Sequence, residues 1–227
     1  MFNAILNELL KIIFPPKCVF CKGFLLGEQE ICDVCKEKLA VIKNKRVIEF
    51  NYGKMFFERC VALFYYLPPV SSVICNFKFN GKNFLKNTLA RFICDMVEQE
   101  YVDVQFDCIM FVPELNRKRK HCKLLAEQVS KIVGLPLAEN LVKLKKNQKQ
   151  HELKLKSRLE NIKGAYGLND VEAVVGQTVL LVDDVVTTGS TLNECARILK
   201  VGGVMRVFCA TIAATAGVED LCLANES

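Results

Sequence analysis

Apolar runs alternate with amphipathic segments along most of the chain, and this alternation predicts strands and helices in turn. The predicted strands are Cys60–Tyr66, Phe106–Val112, Val179–Val182 and Val204–Ile212, and the predicted helices are Leu85–Glu100, Lys123–Val133 and Thr191–Lys200. The run Phe106–Val112 is apolar at nearly every position, which is typical of a strand buried on both faces. Strands that alternate with helices form a parallel sheet joined by right-handed crossovers. The sequence therefore predicts the α/β class.

The first 16 residues combine an apolar face with none of the marks of a secretory signal. The apolar residues on that face are Phe2, Ile5, Leu6, Leu9, Ile12 and Ile13. Pro15 and Pro16 end the helical pattern, and there is no basic start or small-residue cleavage site. Nowhere does an apolar run reach the roughly 18 residues that span a bilayer. We expect a docked surface helix, with a membrane-touching helix as the alternative, in a cytoplasmic chain without a membrane span.

Charge is distributed unevenly along the 227 residues. The net charge is +6, but Arg117 to Lys163 contains 14 Lys or Arg and four Glu, a local +10, so the rest of the chain sums to −4. A basic middle on a slightly acidic body favours a polyanionic ligand, either phosphates or nucleic acid. The alternative is a solvated charged face with no ligand.

The segment from Val179 to Thr191 carries the most specific pattern in the chain. Its apolar strand leads to Asp183 and Asp184, whose carboxylates suit ribose hydroxyls or a hydrated Mg²⁺. Small and hydroxyl-bearing residues follow and run into a helix: Thr187, Thr188, Gly189, Ser190 and Thr191. Backbone N–H groups and hydroxyls at a helix start bind phosphate. Together these features predict a ribose 5-phosphate site, and the alternative is a capped turn with solvated aspartates.

Four of the 12 cysteines form two C-x-x-C pairs separated by ten residues. They are Cys18, Cys21, Cys32 and Cys35. Two such pairs suit tetrahedral Zn²⁺, whereas a single pair could equally be a redox motif. Four thiolates leave no open coordination position, so we expect a structural role for the zinc. The other eight cysteines are expected to pack as small apolar residues.

These motifs carry a resemblance to known families. Val179–Thr191 resembles the phosphoribosyl pyrophosphate (PRPP) loop of type I phosphoribosyltransferases. A four-cysteine knuckle followed by such a loop resembles the ComF family, or amidophosphoribosyltransferase-related competence proteins, over nearly the whole chain. Further matches in order and spacing are Phe77-Lys78-Phe79-x-Gly81, Gln150, Leu153, Arg158, Asn161, Gly164 and Tyr166. Ser157 and Tyr166 differ from the family pattern, which has Glu and Phe there.

The resemblance implies a fold, a site and partners. The fold is a type I phosphoribosyltransferase-like parallel sheet flanked by helices (residues 55–227), after an N-terminal helix and zinc-binding module (residues 1–54). Asp183 and Asp184 would hold the ribose 2- and 3-hydroxyls as catalytic residues, and Thr187 to Thr191 would hold the 5-phosphate of PRPP, with Mg²⁺. ComF proteins are linked to DNA uptake in natural transformation. They work in the cytoplasm with single-stranded DNA and a helicase.

One segment departs from the family and keeps three functions open. Residues Pro113–His121 are shorter than the family's pyrophosphate loop and lack its Gly-Phe-Asn; the cations Arg117–Lys120 attract pyrophosphate, whereas Glu114 repels it. The alternatives are a single-stranded DNA-handling protein that binds PRPP, an active phosphoribosyltransferase, and a nucleotide-responsive regulator. The expected DNA contacts are Lys143, Lys145, Lys146, Lys149, Lys154, Lys156 and Arg158, with Tyr166, Phe77 and Phe79 as the candidate stacking rings.

Overall fold

The computed structural model describes residues 15–25, 29–48, 50, 54–114, 120–144 and 165–215. The predicted N-terminal helix and ten of the 14 Lys and Arg residues of the basic middle lie outside these ranges. Within them, no helix is both long and apolar enough to cross a membrane.

A five-stranded sheet forms the centre of the fold, with strand order β1-β2-β7-β6-β3. The strands are β1 (Lys43–Val47), β2 (Arg59–Tyr65), β3 (Cys108–Phe111), β6 (Thr178–Val186) and β7 (Arg206–Ala214). Strands β2, β7, β6 and β3 are parallel, and β1 adds an antiparallel edge. A separate two-stranded antiparallel sheet pairs β4 (Leu141–Lys143) with β5 (Tyr166–Leu168). The predicted α/β sheet is confirmed.

Helices cover both faces of this sheet and enclose two apolar layers. They are α1 (Asp33–Val41), α2 (Val70–Phe79), α3 (Leu85–Glu100), α4 (His121–Val133) and α5 (Ser190–Val201), with a 3₁₀ turn at Glu172–Val174. Successive residues of a strand point to opposite faces. Leu180 and Val182 therefore pack in the layer with α3 and α4, while Val179 and Leu181 pack in the layer with α5. Because β6 is buried on both faces, it fixes the position of the residues that follow it, Thr187 to Thr191.

The lysine-rich stretch around residues 36–54, for which no strand or helix was predicted, contains regular structure. Helix α1 extends to Val41, and β1 then pairs with β2, with Lys43 opposite Phe64 and Val47 opposite Val61. The sequence of β1 has no apolar alternation because it is an edge strand, where charged residues are common. Helix α2 was also not predicted. The N-terminal part of the chain therefore contributes a strand to the main sheet.

The cysteine-containing segment packs against α3. Glu30 accepts a hydrogen bond from the Thr88 hydroxyl at 2.6 Å and forms an ion pair with Arg91 at 3.0 Å. The rings of Phe20 and Phe92 lie 6.4 Å apart. Two polar contacts of Glu30 and one aromatic contact thus fix this segment on the helix.

Candidate functional site

The acidic pair lies where β6 runs past the end of its neighbour. Pairing between β3 and β6 stops at Phe111 opposite Val182, whereas pairing between β6 and β7 continues to Val186. Asp183 and Asp184 therefore lie at the carboxyl end of the parallel sheet, beside the gap that β3 leaves. Ligands of open α/β sheets bind at such an edge.

Both carboxylate oxygens of Asp184 are held by cationic side chains of the protein. Lys78 Nζ, at the end of α2, lies 2.7 Å from Oδ1, and His121 Nε2, at the start of α4, lies 2.8 Å from Oδ2. Only 4% of the Asp184 side chain is exposed. Burial opposes ionisation of Asp184, but the contacts with His121 and Lys78 outweigh it and lower the pKa. Asp184 is a buried, ionised anchor for two helices.

The contacts continue from His121 to Glu114. His121 Nδ1 lies 2.6 Å from Glu114 Oε1, which also accepts the backbone N–H of Cys122 at 3.2 Å. Each ring nitrogen of His121 therefore faces a carboxylate, which favours the doubly protonated imidazolium. Burial disfavours that charge, but Asp184 and Glu114 raise the pKa of His121 to about 9. We call Lys78, Asp184, His121 and Glu114 the charge network.

Asp183 differs from its neighbour because no cation is in direct contact with it among the interactions described. Its Oδ1 accepts the Cys122 thiol at 3.2 Å and the Asp184 backbone N–H at 2.9 Å, and the residue is partly exposed. Burial and the charge of Asp184 raise its pKa to about 7. Asp183 is thus the carboxylate with capacity left for a ligand.

The residues after the strand form a tight loop at the start of α5. Gly189 precedes the helix with φ of 70°, a left-handed conformation that glycine adopts without steric cost. The hydroxyls of Thr188 and Ser190 lie 2.8 Å apart, and Thr187 and Thr188 are exposed. The first-turn N–H groups of a helix have no acceptor within the helix. Hydroxyls and amides therefore converge at one place, as phosphate binding requires.

The four cysteines converge at the N-terminal end of the molecule. Their Sγ atoms all lie within 4.8 Å of one another, and those of Cys21 and Cys32 are 3.6 Å apart. Zn–S bonds of about 2.3 Å in a tetrahedron place sulfurs about 3.8 Å apart. The Gly23 N–H lies 3.4 Å from Cys21 Sγ, and the Cys32 N–H lies 3.5 Å from Cys18 Sγ. This donor set fits one structural Zn²⁺.

Comparisons with known proteins agree with both sites. A double zinc ribbon domain model matches residues 9–46, and a phosphoribosyl transferase domain model matches residues 119–220. Competence protein F of Haemophilus influenzae is 28% identical over 214 residues, covering 84% of this chain and 93% of that protein. The chain is thus similar to a competence protein F over most of its length and matches a zinc ribbon followed by a phosphoribosyl transferase domain, as in the ComF family.

A second protein sequence and a solved structure are also similar to this chain. DNA utilization protein YhgH of Escherichia coli K12 is 29% identical over 216 residues, covering 85% of this chain and 94% of that protein. A crystal structure of adenine phosphoribosyltransferase matches with 14% identity and a TM-score of 0.45, covering 66% of this chain and 79% of that chain. The sequence similarities and the two domain models confirm the predicted resemblance to ComF proteins, the phosphoribosyltransferase-like domain and the N-terminal zinc ribbon.

The sequence identified the loop but not the residues around it. Asp183, Asp184 and Thr187 to Thr191 lie together as the motif predicted. The charge network was not predicted, although its parts had signals. Lys78 belongs to the Phe-Lys-Phe-x-Gly match, and Glu114 and His121 bound the departing segment. Their convergence depends on packing of α2 and α4 at one sheet edge, which sequence spacing does not show.

The predicted DNA contacts lie mostly outside the described residues. Of the seven basic residues named for that role, only Lys143 is described, and its Nζ lies 5.2 Å from the centre of the Tyr166 ring. Tyr166 is 4% exposed and Phe77 is 2% exposed, so neither ring is free to stack with a base. Phe79 is 59% exposed and is the remaining aromatic candidate of the three.

Proposed function

We propose that this protein binds PRPP at the carboxyl end of β6. The observation that carries the proposal is the juxtaposition of a partly exposed carboxylate, Asp183, with a hydroxyl-rich helix start at Thr187 to Thr191. A ribose 5-phosphate presents hydroxyl donors at one end and an anion at the other. The carboxylate accepts hydrogen bonds from the former, and the helix start donates to the latter.

The two aspartates have different roles in this proposal. Asp183 contacts the ribose hydroxyls directly and is the available ligand for Mg²⁺, which commonly combines one or two carboxylates with substrate phosphates and water. Asp184 is engaged on both oxygens by Lys78 and His121. It holds the site together, and a ribose contact to it requires one of those ion pairs to open.

The biological role that we propose is handling of single-stranded DNA during DNA uptake. Two observations support it: the similarity to competence protein F and DNA utilization protein YhgH, and the +10 charge of residues 117–163. Basic side chains bind the DNA phosphates and release counterions. We propose that this occurs in the cytoplasm together with a helicase partner, and that residues 1–54 and 55–227 are the two units.

The PRPP proposal is tested by isothermal titration of the zinc-loaded protein with PRPP and Mg²⁺. We expect Asp183→Asn to weaken binding roughly tenfold or more, since a charge-assisted hydrogen bond contributes about 1.5–3 kcal/mol. Asp103→Asn is the matched control, because Asp103 is exposed in the turn before β3, at the opposite end of the sheet. Equal affinity in all three proteins would contradict the proposal. Pyrophosphate release in the same samples distinguishes transfer from binding.

The DNA proposal is tested by fluorescence anisotropy with a labelled single-stranded oligonucleotide. We expect affinity to fall steeply between about 50 and 200 mM salt, with a slope set by the number of phosphates contacted. Replacing Lys145, Lys146 and Lys149 by Gln should reduce that slope. Absence of binding at the lower salt concentration would contradict the DNA role while leaving the PRPP site intact.

A further inference from the structure

A short segment after β1 is fastened to the first turn of the phosphate-loop helix. The Asn193 side chain in α5 makes two bonds to this segment. Its Oδ1 accepts the backbone N–H of Phe56 at 2.7 Å, and its Nδ2 donates to the carbonyl of Lys54 at 3.1 Å. The backbone N–H of Asn193 donates to Gly189 in the loop at 2.8 Å. Asn193 therefore joins the segment directly to the residue that precedes the helix.

Phe50 makes a second contact with the same loop. A Cβ built at Gly189 would overlap Cε1 of the Phe50 ring and lie 2.9 Å from its Cζ, so the ring rests on the glycine itself. Phe50 is held in turn by Phe57, whose ring centre is 5.4 Å away at an edge-on angle of 74°. One face of the loop is thus covered by an aromatic ring. We call Phe50 and residues 54–57 the strap.

The strap follows directly from the zinc ribbon. Helix α1 contains Cys35 and leads into β1, and the Ile48 N–H just beyond β1 donates to Cys60 at 2.9 Å. Phe50 comes two residues later. The described contacts thus include the pairing of β1 with β2, the Ile48 bond to the carbonyl of Cys60 and the contact of Phe50 with Gly189, all C-terminal to the cysteine cluster.

We propose that Phe50 and Asn193 are positioning residues through which the zinc ribbon holds the phosphate loop in its binding conformation. Gly189 in a left-handed conformation is flexible by nature, and ordering it on binding costs free energy. Packing by Phe50 and the two bonds of Asn193 pre-order it, which raises affinity for a phosphate without touching that phosphate. The inference rests on the proposed PRPP site and adds a structural dependence of that site on the ribbon.

The first test compares PRPP affinity with thermal stability in the zinc-loaded protein. Phe50→Ala and Asn193→Leu should each raise the Kd for PRPP with Mg²⁺ roughly threefold to tenfold, because the loop must then be ordered when the ligand binds. Phe106→Ala is the matched control, because Phe106 is also partly buried and packs edge-on to Tyr101 at 5.7 Å. It should lower Tm with no change in Kd.

A double-mutant cycle tests the contact itself by urea denaturation. Gly189→Ala should destabilise the wild-type protein more than the Phe50→Ala variant. In the wild-type protein the new methyl group collides with the Phe50 ring, and in the variant that ring is absent. Additive effects would show that ring and glycine are not in contact in solution and would overturn the inference.

The zinc dependence is tested by chelation followed by PRPP titration. Zinc removal should weaken PRPP binding to the wild-type protein and have little further effect on the Phe50→Ala/Asn193→Leu double variant, since both contacts of the strap with the loop are already lost there. Wild-type binding that is unchanged by chelation, or tighter binding in Phe50→Ala, would overturn the inference while leaving the PRPP site established. No PRPP binding by the zinc-loaded wild-type protein would instead remove the proposed function and this inference with it.

Discussion

The two polar clusters of this protein are neutralised in opposite ways. The zinc ribbon brings four cysteine thiols together as possible metal ligands. In the described residues, their hydrogen-bonding partners are other thiols and backbone N–H groups, and no cationic side chain is among them. The acidic pair of β6, in contrast, has Lys78 and His121 bound to Asp184. The first cluster needs an ion from outside to be stable, whereas the second is largely satisfied by the chain itself. A ligand of the second site must therefore use what the charge network leaves, namely Asp183 and the loop.

The pKa values of Cys18 and Cys35 differ in a way that explains why the four thiols require a cation. Burial opposes ionisation of Cys18, but backbone N–H groups of Cys21, Cys32 and Phe20 lower its pKa to about 6. Burial, hydrogen bonds to the other thiols and the charge of Cys18 raise the pKa of Cys35 to about 12. One thiolate thus prevents the next, and only a cation at the centre allows all four.

The largest effect is expected from removing the zinc ligand Cys35. Cys35→Ser should abolish stoichiometric zinc in native mass spectrometry, because it removes one of the four ligands. The apparent binding free energy of structural Zn²⁺ in small modules is about 10–16 kcal/mol, and its loss should unfold the ribbon. Hydrogen exchange should then lose protection at Cys18, Val19 and Lys22, whose N–H groups bond within the ribbon. Cys75→Ser, outside the cluster, should keep its zinc. Retained protection in Cys35→Ser would show that the ribbon folds without its metal.

The next effect is expected at Asp184. Asp184→Ala leaves Lys78 and His121 buried without their shared partner, and removing one member of a buried ion pair costs about 3–5 kcal/mol. Urea unfolding measures this loss. Glu139→Ala is the control, because its ion pair with Lys123 lies at the surface, where such a pair contributes at most about 1 kcal/mol. Equal losses in the two variants would contradict a buried charge network.

A smaller, pH-dependent effect is expected at His121. Its folded pKa of about 9 exceeds the reference value of 6.5, so its stabilisation is complete below about pH 6.5 and is lost as pH rises through about 9. The stability difference between wild type and His121→Gln should be about 2 kcal/mol at pH 6 and small at pH 10. Unfolding in urea across this range measures it. A difference independent of pH would show that His121 stays neutral.

The smallest effect is expected at Asp183, and it has the opposite sign. The folded pKa of about 7 lies above the reference value of 3.8, so ionised Asp183 destabilises the folded state increasingly from about pH 4 to about pH 7, and constantly above that. Asp183→Asn should therefore be about 1 kcal/mol more stable than wild type at pH 8, with little of that difference left at about pH 4. A gain in stability together with a loss of PRPP binding would identify Asp183 as a ligand-binding residue. A loss of stability at pH 8 would contradict its assignment as the unsatisfied carboxylate.

The sequence predicted the parts of this protein that depend on local pattern. The buried run at Val179–Val182, the loop that follows it and the spacing of the cysteines are signals that need no tertiary structure to recognise. Strand β1 gave no such signal because an exposed edge strand tolerates lysines at every position. The charge network was not predictable because Lys78 and Asp184 are far apart in sequence and meet only when α2 packs at the edge of the sheet.

Glu114 and His121 lie on either side of the segment in which this chain departs from the ComF pattern. Both belong to the charge network, because His121 contacts Glu114 through one ring nitrogen and Asp184 through the other. When the ends of a loop are already fixed, the entropy of closing it varies only slowly with the number of residues between them. Because Glu114 and His121 are held by these contacts, the free energy of folding should depend only weakly on the number of residues that connect β3 to α4.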